Sequence, residues 1–115
     1  MNALEITKLL EGKIVTSSHK IDHQVDAAFT SDLMSDVLTL DDCQNVALIT
    51  GLANIQTIRT VEMAGIHSVI LVRGKKSSEE MIELADENEI TIIESAYSAF
   101  RASAVLYNAG VKSLF

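Results

Sequence analysis

Three short apolar runs recur along the chain at nearly equal intervals: VALIT at 46–50, VILV at 69–72 and TII at 91–93. Each is close to continuous in apolar, β-branched residues rather than alternating with polar ones. Strands buried on both faces of a parallel sheet read this way. A segment with helical character follows each run, so the spacing is that of a repeated βα unit. Crossovers between parallel strands are right-handed, which places the helices against the sheet. The expected fold is therefore α/β: a small, mostly parallel sheet of about four to five strands with helices packed on it.

The helix ends are legible because the chain has no proline, so breaks fall to Gly, Asn, Asp and Ser. Asn54 is placed to cap a helix through Met63, with Gly65 supplying the left-handed residue after it. Ser77 with Glu80 reads as a capping box for the helix bearing Met81, Ile82, Leu84 and Ala85. Glu79, Glu80 and Glu83 are expected to face solvent there. Ser95 is expected to cap the last helix and Gly110 to end it. The first third is less regular. Residues 3–11 predict a short amphipathic helix stopped by Gly12, and 13–16 a strand. A polar connection follows at 17–24, and 25–29 predict another strand. Ser31-Asp32 is expected to cap a helix carrying Leu33, Met34, Val37 and Leu38. Residues 41–45 read as a loop.

At 115 residues, 48% of them hydrophobic, the chain is expected to form one domain over 1–115. Such a chain buries roughly two thirds of its unfolded surface, enough for a core without staples. Acids outnumber bases 16 to 9, giving a net charge of −7. That balance speaks against nucleic acid and against anionic membrane surfaces as partners. One cysteine, Cys43, permits no internal disulfide and suits a reducing cytoplasm. No signal peptide is read at the N-terminus, and no apolar run approaches the roughly 20 residues of a membrane helix.

Ligands on parallel sheets bind beyond the carboxyl ends of the strands. Here that edge comprises Gly51 to Asn54, Arg73 to Ser77 and Glu94 to Ala96. The first loop lacks the glycines and the Gly-Lys-Ser of a phosphate-cradling loop, so it reads first as a βα turn. Arg73-Gly74-Lys75-Lys76-Ser77-Ser78 sets three cations, a glycine and two hydroxyls before a helix in an acidic protein. Arginine and a helix start suit phosphate or carboxylate. Candidate anion-binding residues are thus Gly51, Asn54, Arg73, Gly74, Lys75 and Ser77. Other constellations read as ordinary surface or core. His19 and His23, near Asp22 and Asp26, lack the helical context of a zinc site. Cys43, beside Asp41 and Asp42, reads as an inert thiol. Asp32 and Asp36 read as a cap and a solvated acid rather than a catalytic pair. No metal site, cofactor or catalytic residue is assigned. The last helix is read as rich in small residues (Ala96, Ala99, Ala102, Ser103, Ala104, Ala109) and as carrying Tyr97, Phe100 and Tyr107. It suits packing on its own sheet and self-association alike.

In the blocks SDLMSDVL (31–38), LITGLANIQTIRTVEMAGI (48–66) and VILVRGKKSSEEMIELA (69–85), and on to LYNAG (106–110), the chain resembles the DRTGG domain family. It is similar to the stand-alone, single-domain members. The resemblance implies an α/β domain like the N-terminal domain of HPr kinase, without that enzyme's P-loop. The family occurs as an accessory module in phosphate acetyltransferases. In some regulated pyrophosphatases it sits between nucleotide-binding cystathionine-synthase-type domains and helps them dimerise. Regulation and association are implied rather than catalysis. The naming motif is altered here. Gly51 is followed by Leu52-Ala53 where Gly-Asp-Arg is usual, and Val72-Arg73-Gly74 stands where Thr-Gly-Gly is usual. Only Gly51 and Gly74 carry over, with Arg73 offering a cation near the same edge. The expectation is a non-catalytic regulatory or ligand-sensing module. It is expected to be a cytoplasmic homodimer that contacts a nucleotide or phosphorylated metabolite. The alternative is a pure protein-interaction module.

Overall fold

A computed structural model describes residues 1–17, 23–40, 43 and 45–115. Its strands are β1 (Lys13–Ile14), β2 (Ala27–Thr30), β3 (Val46–Thr50), β4 (Ser68–Leu71), β5 (Thr91–Glu94) and β6 (Lys112–Ser113). Its helices are α1 (Ala3–Leu9), α2 (Met34–Val37), α3 (Ile55–Ala64), α4 (Glu79–Glu87) and α5 (Ala99–Asn108). The six strands form one sheet in the order β1-β5-β4-β3-β2-β6. Every pairing is parallel except β1 with β5. The α/β parallel sheet read from the sequence is thus present. The strand beyond the five legible runs is β6, whose two exposed residues carry no strand pattern.

The continuous apolar runs serve two cores at once. Val46 and Leu48 of β3, Val69 and Leu71 of β4, and Ile92 of β5 face one side. There they meet Val37 of α2, Ile58 and Val61 of α3, and Met81 and Ala85 of α4. Ala47, Ile49, Ile70, Val72 and Ile93 face the other side, against Ala3 and Ile6 of α1 and Ala102 and Leu106 of α5. Successive strand residues point to opposite faces, so a strand covered twice has no polar face to show. Truncating one fully buried residue of either core, such as Ile58, should cost about 2–5 kcal/mol.

Chain direction explains this division. From β2 to β5 each strand lies beside the one before it, so right-handed crossovers place α2, α3 and α4 on one face. The chain then reverses. α5 returns across the opposite face to deliver β6 beside β2.

Several helix starts differ from the sequence reading, each for a tertiary reason. Asn54 does cap α3, accepting the Thr57 N–H at 3.0 Å, and Gly65 follows at φ 77°. The cap of α4 is Ser78, not Ser77, and accepts the Met81 N–H at 3.2 Å. Ser77 is displaced because its own N–H is taken by Glu94. The cap of α5 is Ser98, not Ser95. Ser95 instead donates to the Leu10 carbonyl at 2.8 Å and accepts the Tyr97 N–H at 3.1 Å. Tyr97 accordingly precedes the helix. α2 is one turn with no side-chain cap, and Asp32 is directed to Gly51 instead. Glu79, Glu80 and Glu83 are exposed. Among the described residues, no helix is long and apolar enough to cross a membrane.

Candidate functional site at the carboxyl edge of the sheet

The three loops singled out from the sequence follow β3, β4 and β5, which are neighbours in the sheet. They therefore meet along one edge. Backbone bonds stitch them together: Val72 N–H donates to the Thr50 carbonyl at 3.1 Å, Gly74 N–H to Ser95 at 3.0 Å, and Arg73 N–H to Tyr97 at 2.7 Å. β4 sends its loop to α4 on one face, while β5 sends its loop to α5 on the other. The crevice between two strands whose connections part in this way is where open α/β sheets bind ligands. Arg73, Gly74, Lys75 and Ser77 stand at that point.

Arg73 has φ 58° and Gly74 has φ 72°. Two successive left-handed residues turn the chain sharply out of β4. Glycine accepts this conformation freely, but an arginine with its Cβ pays of order 1 kcal/mol for it. The Arg73 side chain is exposed, as is that of Lys75. Among the described residues, no hydrogen bond or ion pair engages the Arg73 guanidinium. This edge therefore presents cations on a strained, well-anchored turn.

The chain's own carboxylates occupy two of the N–H groups an anion would use. Glu94, buried at the end of β5, accepts the Ser77 N–H at 2.7 Å and faces the Lys76 ammonium at 3.6 Å. The Ser77 hydroxyl oxygen is itself buried with no partner among the described residues. Asp32 accepts the Gly51 N–H at 2.7 Å and the Thr50 hydroxyl at 2.9 Å. A Cβ on Gly51 would lie 3.7 Å from both Asp32 carboxylate oxygens, so the two residues are in close apposition. Asn54 is committed to the α3 cap and also receives the Thr57 hydroxyl at 3.2 Å. Of the six candidates, Arg73, Gly74, Lys75 and Ser77 cluster at the β4–β5 junction. Gly51 lies one strand over, and Asn54 is a cap. The sequence reading placed Glu94 on this edge but missed its contact with Ser77. The only signal was an acid ending a strand of otherwise uncharged residues.

Tyr97 closes the edge toward α1. Its hydroxyl donates to Glu11 at 2.7 Å, and the Arg101 guanidinium lies 3.9 Å from its ring centroid. The hydrogen bond to Glu11 raises the Tyr97 pKa above the usual phenol range. Desolvation adds to the rise and Arg101 opposes it.

At the opposite edge the sequence suggested nothing for His67. The structure sets its ring 4.9 Å from that of His23, tilted by 50°. His19, Asp22, Asp41 and Asp42 lie outside the described residues. Among the described residues, no group of three His, Cys, Asp or Glu is arranged to hold a metal. Cys43 is buried in the α2–α4 core. Asp36 is exposed on α2.

A mostly parallel sheet with α2, α3 and α4 on one face and α1 and α5 on the other, and a turn of cations where the chain changes face, defines a small α/β domain. The chain belongs to the DRTGG domain family, whose model matches residues 5–109. Among solved structures it is similar to the CBS and DRTGG domains of the regulatory region of Clostridium perfringens pyrophosphatase. That crystal structure is complexed with its activator, diadenosine tetraphosphate. The TM-score is 0.69 at 17% identity, over 91% of this chain and 45% of that one. The chain thus spans less than half the length of that crystallised regulatory region, and the likeness is one of fold. No curated protein matches the chain.

Proposed function

We propose that this chain is a non-catalytic regulatory module. It senses an anionic ligand, a nucleotide or phosphorylated metabolite, at the carboxyl edge of its sheet, and it works as a homodimer. The observation that carries this reading is Arg73, a cation held at φ 58° at the β4–β5 crossing point, its guanidinium unengaged among the described residues. Backbone strain of this kind persists where the surroundings over-determine it, and it concentrates at ligand clamps. Lys75 and the nearby ammonium of Lys76 add charge. Support for regulation also comes from the family and from the setting of the similar domain in a pyrophosphatase's regulatory region. Catalysis finds no support in the geometry: Asp32, the one acid at the Gly51 turn, is spent on structural hydrogen bonds. The lone cysteine, buried in the core, suits a cytoplasmic setting.

A second reading has its own observation. Because Asp32 and Glu94 already satisfy Gly51 and Ser77, the edge is partly self-neutralised, which favours a protein-interaction module with no small ligand.

A thermal-shift screen against nucleotides and phosphorylated metabolites, with Arg73→Ala beside the parent, separates the two. A ligand at about 100 times its dissociation constant adds about 2.7 kcal/mol, a rise of about 10 °C for this size. A rise lost in Arg73→Ala supports the sensor. Silence across the panel supports the interaction module.

A further inference from the structure

An apolar part of the surface lies away from the sheet edge, where α5 crosses β2 and β6. A hollow of about 570 Å³ opens there, floored by β2 and walled by α5 and β6. Phe100 and Phe115, each 86% exposed, and Tyr107, 67% exposed, stand around it. Two separate causes bring them together. Phe100, Ala104 and Tyr107 fall on one stripe of α5, opposite the Ala102–Leu106 stripe that meets the sheet. Phe115 is held at the rim by an edge-on contact with Phe29, centroids 5.8 Å apart.

We propose that this face binds a second copy of the chain across a twofold axis, with the β6 edges pairing antiparallel and the two α5 helices lying side by side. The inference rests on the dimeric reading above and names its surface.

Three features single out a copy as the occupant. First, the patch carries both a cavity and protruding rings, as an interface related to itself by a twofold axis requires. Second, the lining includes Lys112 and no acid, in a chain of net charge −7. Two copies therefore bring no Asp or Glu side chain against each other across this hollow. Third, the area is of the right order. At about 150–250 Å² for each buried aromatic, the three exposed rings offer roughly 350–600 Å² per protomer, against about 800 Å² in a standard interface. The β6 edge supplies further contact. Lys112 and Leu114 turn their N–H groups to Asp26 and Ala28 of the β2 side. Ser113, between them, turns its N–H outward from the last strand of the sheet.

The test is sedimentation equilibrium of the full chain from low-micromolar to sub-millimolar concentration, with circular dichroism of each variant. The wild type should be dimeric. Phe100→Glu combined with Phe115→Glu should keep the native spectrum, since both rings are exposed, and should weaken association about 100-fold or more. Met63→Glu, 71% exposed on α3 away from this face, should leave the dimer intact. A dimer that survives the double variant, or that Met63→Glu breaks equally, overturns this surface while dimerisation itself stands. A wild type that stays monomeric overturns both. If such a monomer binds 8-anilinonaphthalene-1-sulfonate and the double variant does not, the occupant is a different protein and the proposal is again overturned. Sensing at Arg73 is read separately, by the thermal shift.

Discussion

Asp32 offers a perturbation whose magnitude follows from two hydrogen bonds. Its Oδ1 alone accepts both the Gly51 N–H at 2.7 Å and the Thr50 hydroxyl at 2.9 Å. Thr50 is fully buried, so its hydroxyl has little water to turn to when that acceptor is removed. Gly51 is half-buried, and water can replace part of its loss. A bond to a charged acceptor is worth about 1.5–3 kcal/mol when sheltered; with Asp32 exposed and Gly51 able to turn to water, only the bond from buried Thr50 counts in full, at the lower end of that range. Asp32→Ala should therefore cost about 1.5–2 kcal/mol in total. With an unfolding entropy of about 0.24 kcal/mol/K for a chain of this length, the melting temperature should fall by roughly 6–8 °C. Asp32→Asn retains a carbonyl oxygen at the same place and should cost less than about 0.7 kcal/mol. Urea denaturation followed by far-ultraviolet circular dichroism measures both. If Asn proves as damaging as Ala, the negative charge rather than the acceptor geometry matters. If Ala is neutral, the two bonds contribute nothing. Either result refutes the argument.

Three further outcomes are expected. Arg73→Gly should raise stability by about 0.5 kcal/mol, seen as a higher urea midpoint, because glycine relieves the positive φ at some cost in unfolded-state entropy. A loss of stability would show that the arginine side chain packs usefully. Gly12→Ala should lower stability by about 1–3 kcal/mol, since the added Cβ would lie 2.7 Å from the Glu94 backbone oxygen and push β1 off β5; chemical denaturation at an unchanged midpoint would contradict this. In spectrophotometric titration Tyr97 should ionise above the ordinary phenol range, and Glu11→Ala should bring it back down. The folded pKa lies above the unfolded one, so this contact's contribution is complete below the unfolded value and is lost as pH rises through the folded one.

The sequence showed most where local signals and tertiary demand agree. VALIT at 46–50 is covered on both faces, and its composition says so. Asn54 and Gly65 bound α3 because cap and stop are properties of the residues themselves. The reading failed where a distant partner intervened. Ser77 carries a sound capping pattern, yet Glu94, on another strand, takes its N–H and moves the cap to Ser78. Asp32 looked like a cap and is a brace for Gly51. Of the candidate site, Arg73, Gly74, Lys75 and Ser77 were legible as a loop of unusual charge. Their standing at a crossing point needed the strand order, which no local pattern encodes. The β6 strand was invisible because two residues in an exposed edge have no periodicity to display.

The strand order also sets a timetable for assembly. β2, β3 and β4 each pair with the next strand along the chain, as in Ala27 with Val46, Ala47 with Ser68, and Ser68 with Thr91. Each of these closures spans one βα unit. The two margins do not share this economy: Lys13 waits for Glu94, and Lys112 must find Ala27. Closing loops some fourfold longer adds about 1.2 kcal/mol of entropy, for strands of only two residues. The four central strands should therefore condense first, with β1 and β6 joining last and exchanging their amide hydrogens first. The ribbon that β6 adds beside α5 would then be among the latest parts of the molecule to mature, so a newly made chain would complete the edge above β3, β4 and β5 before it completed the face of α5 and β6.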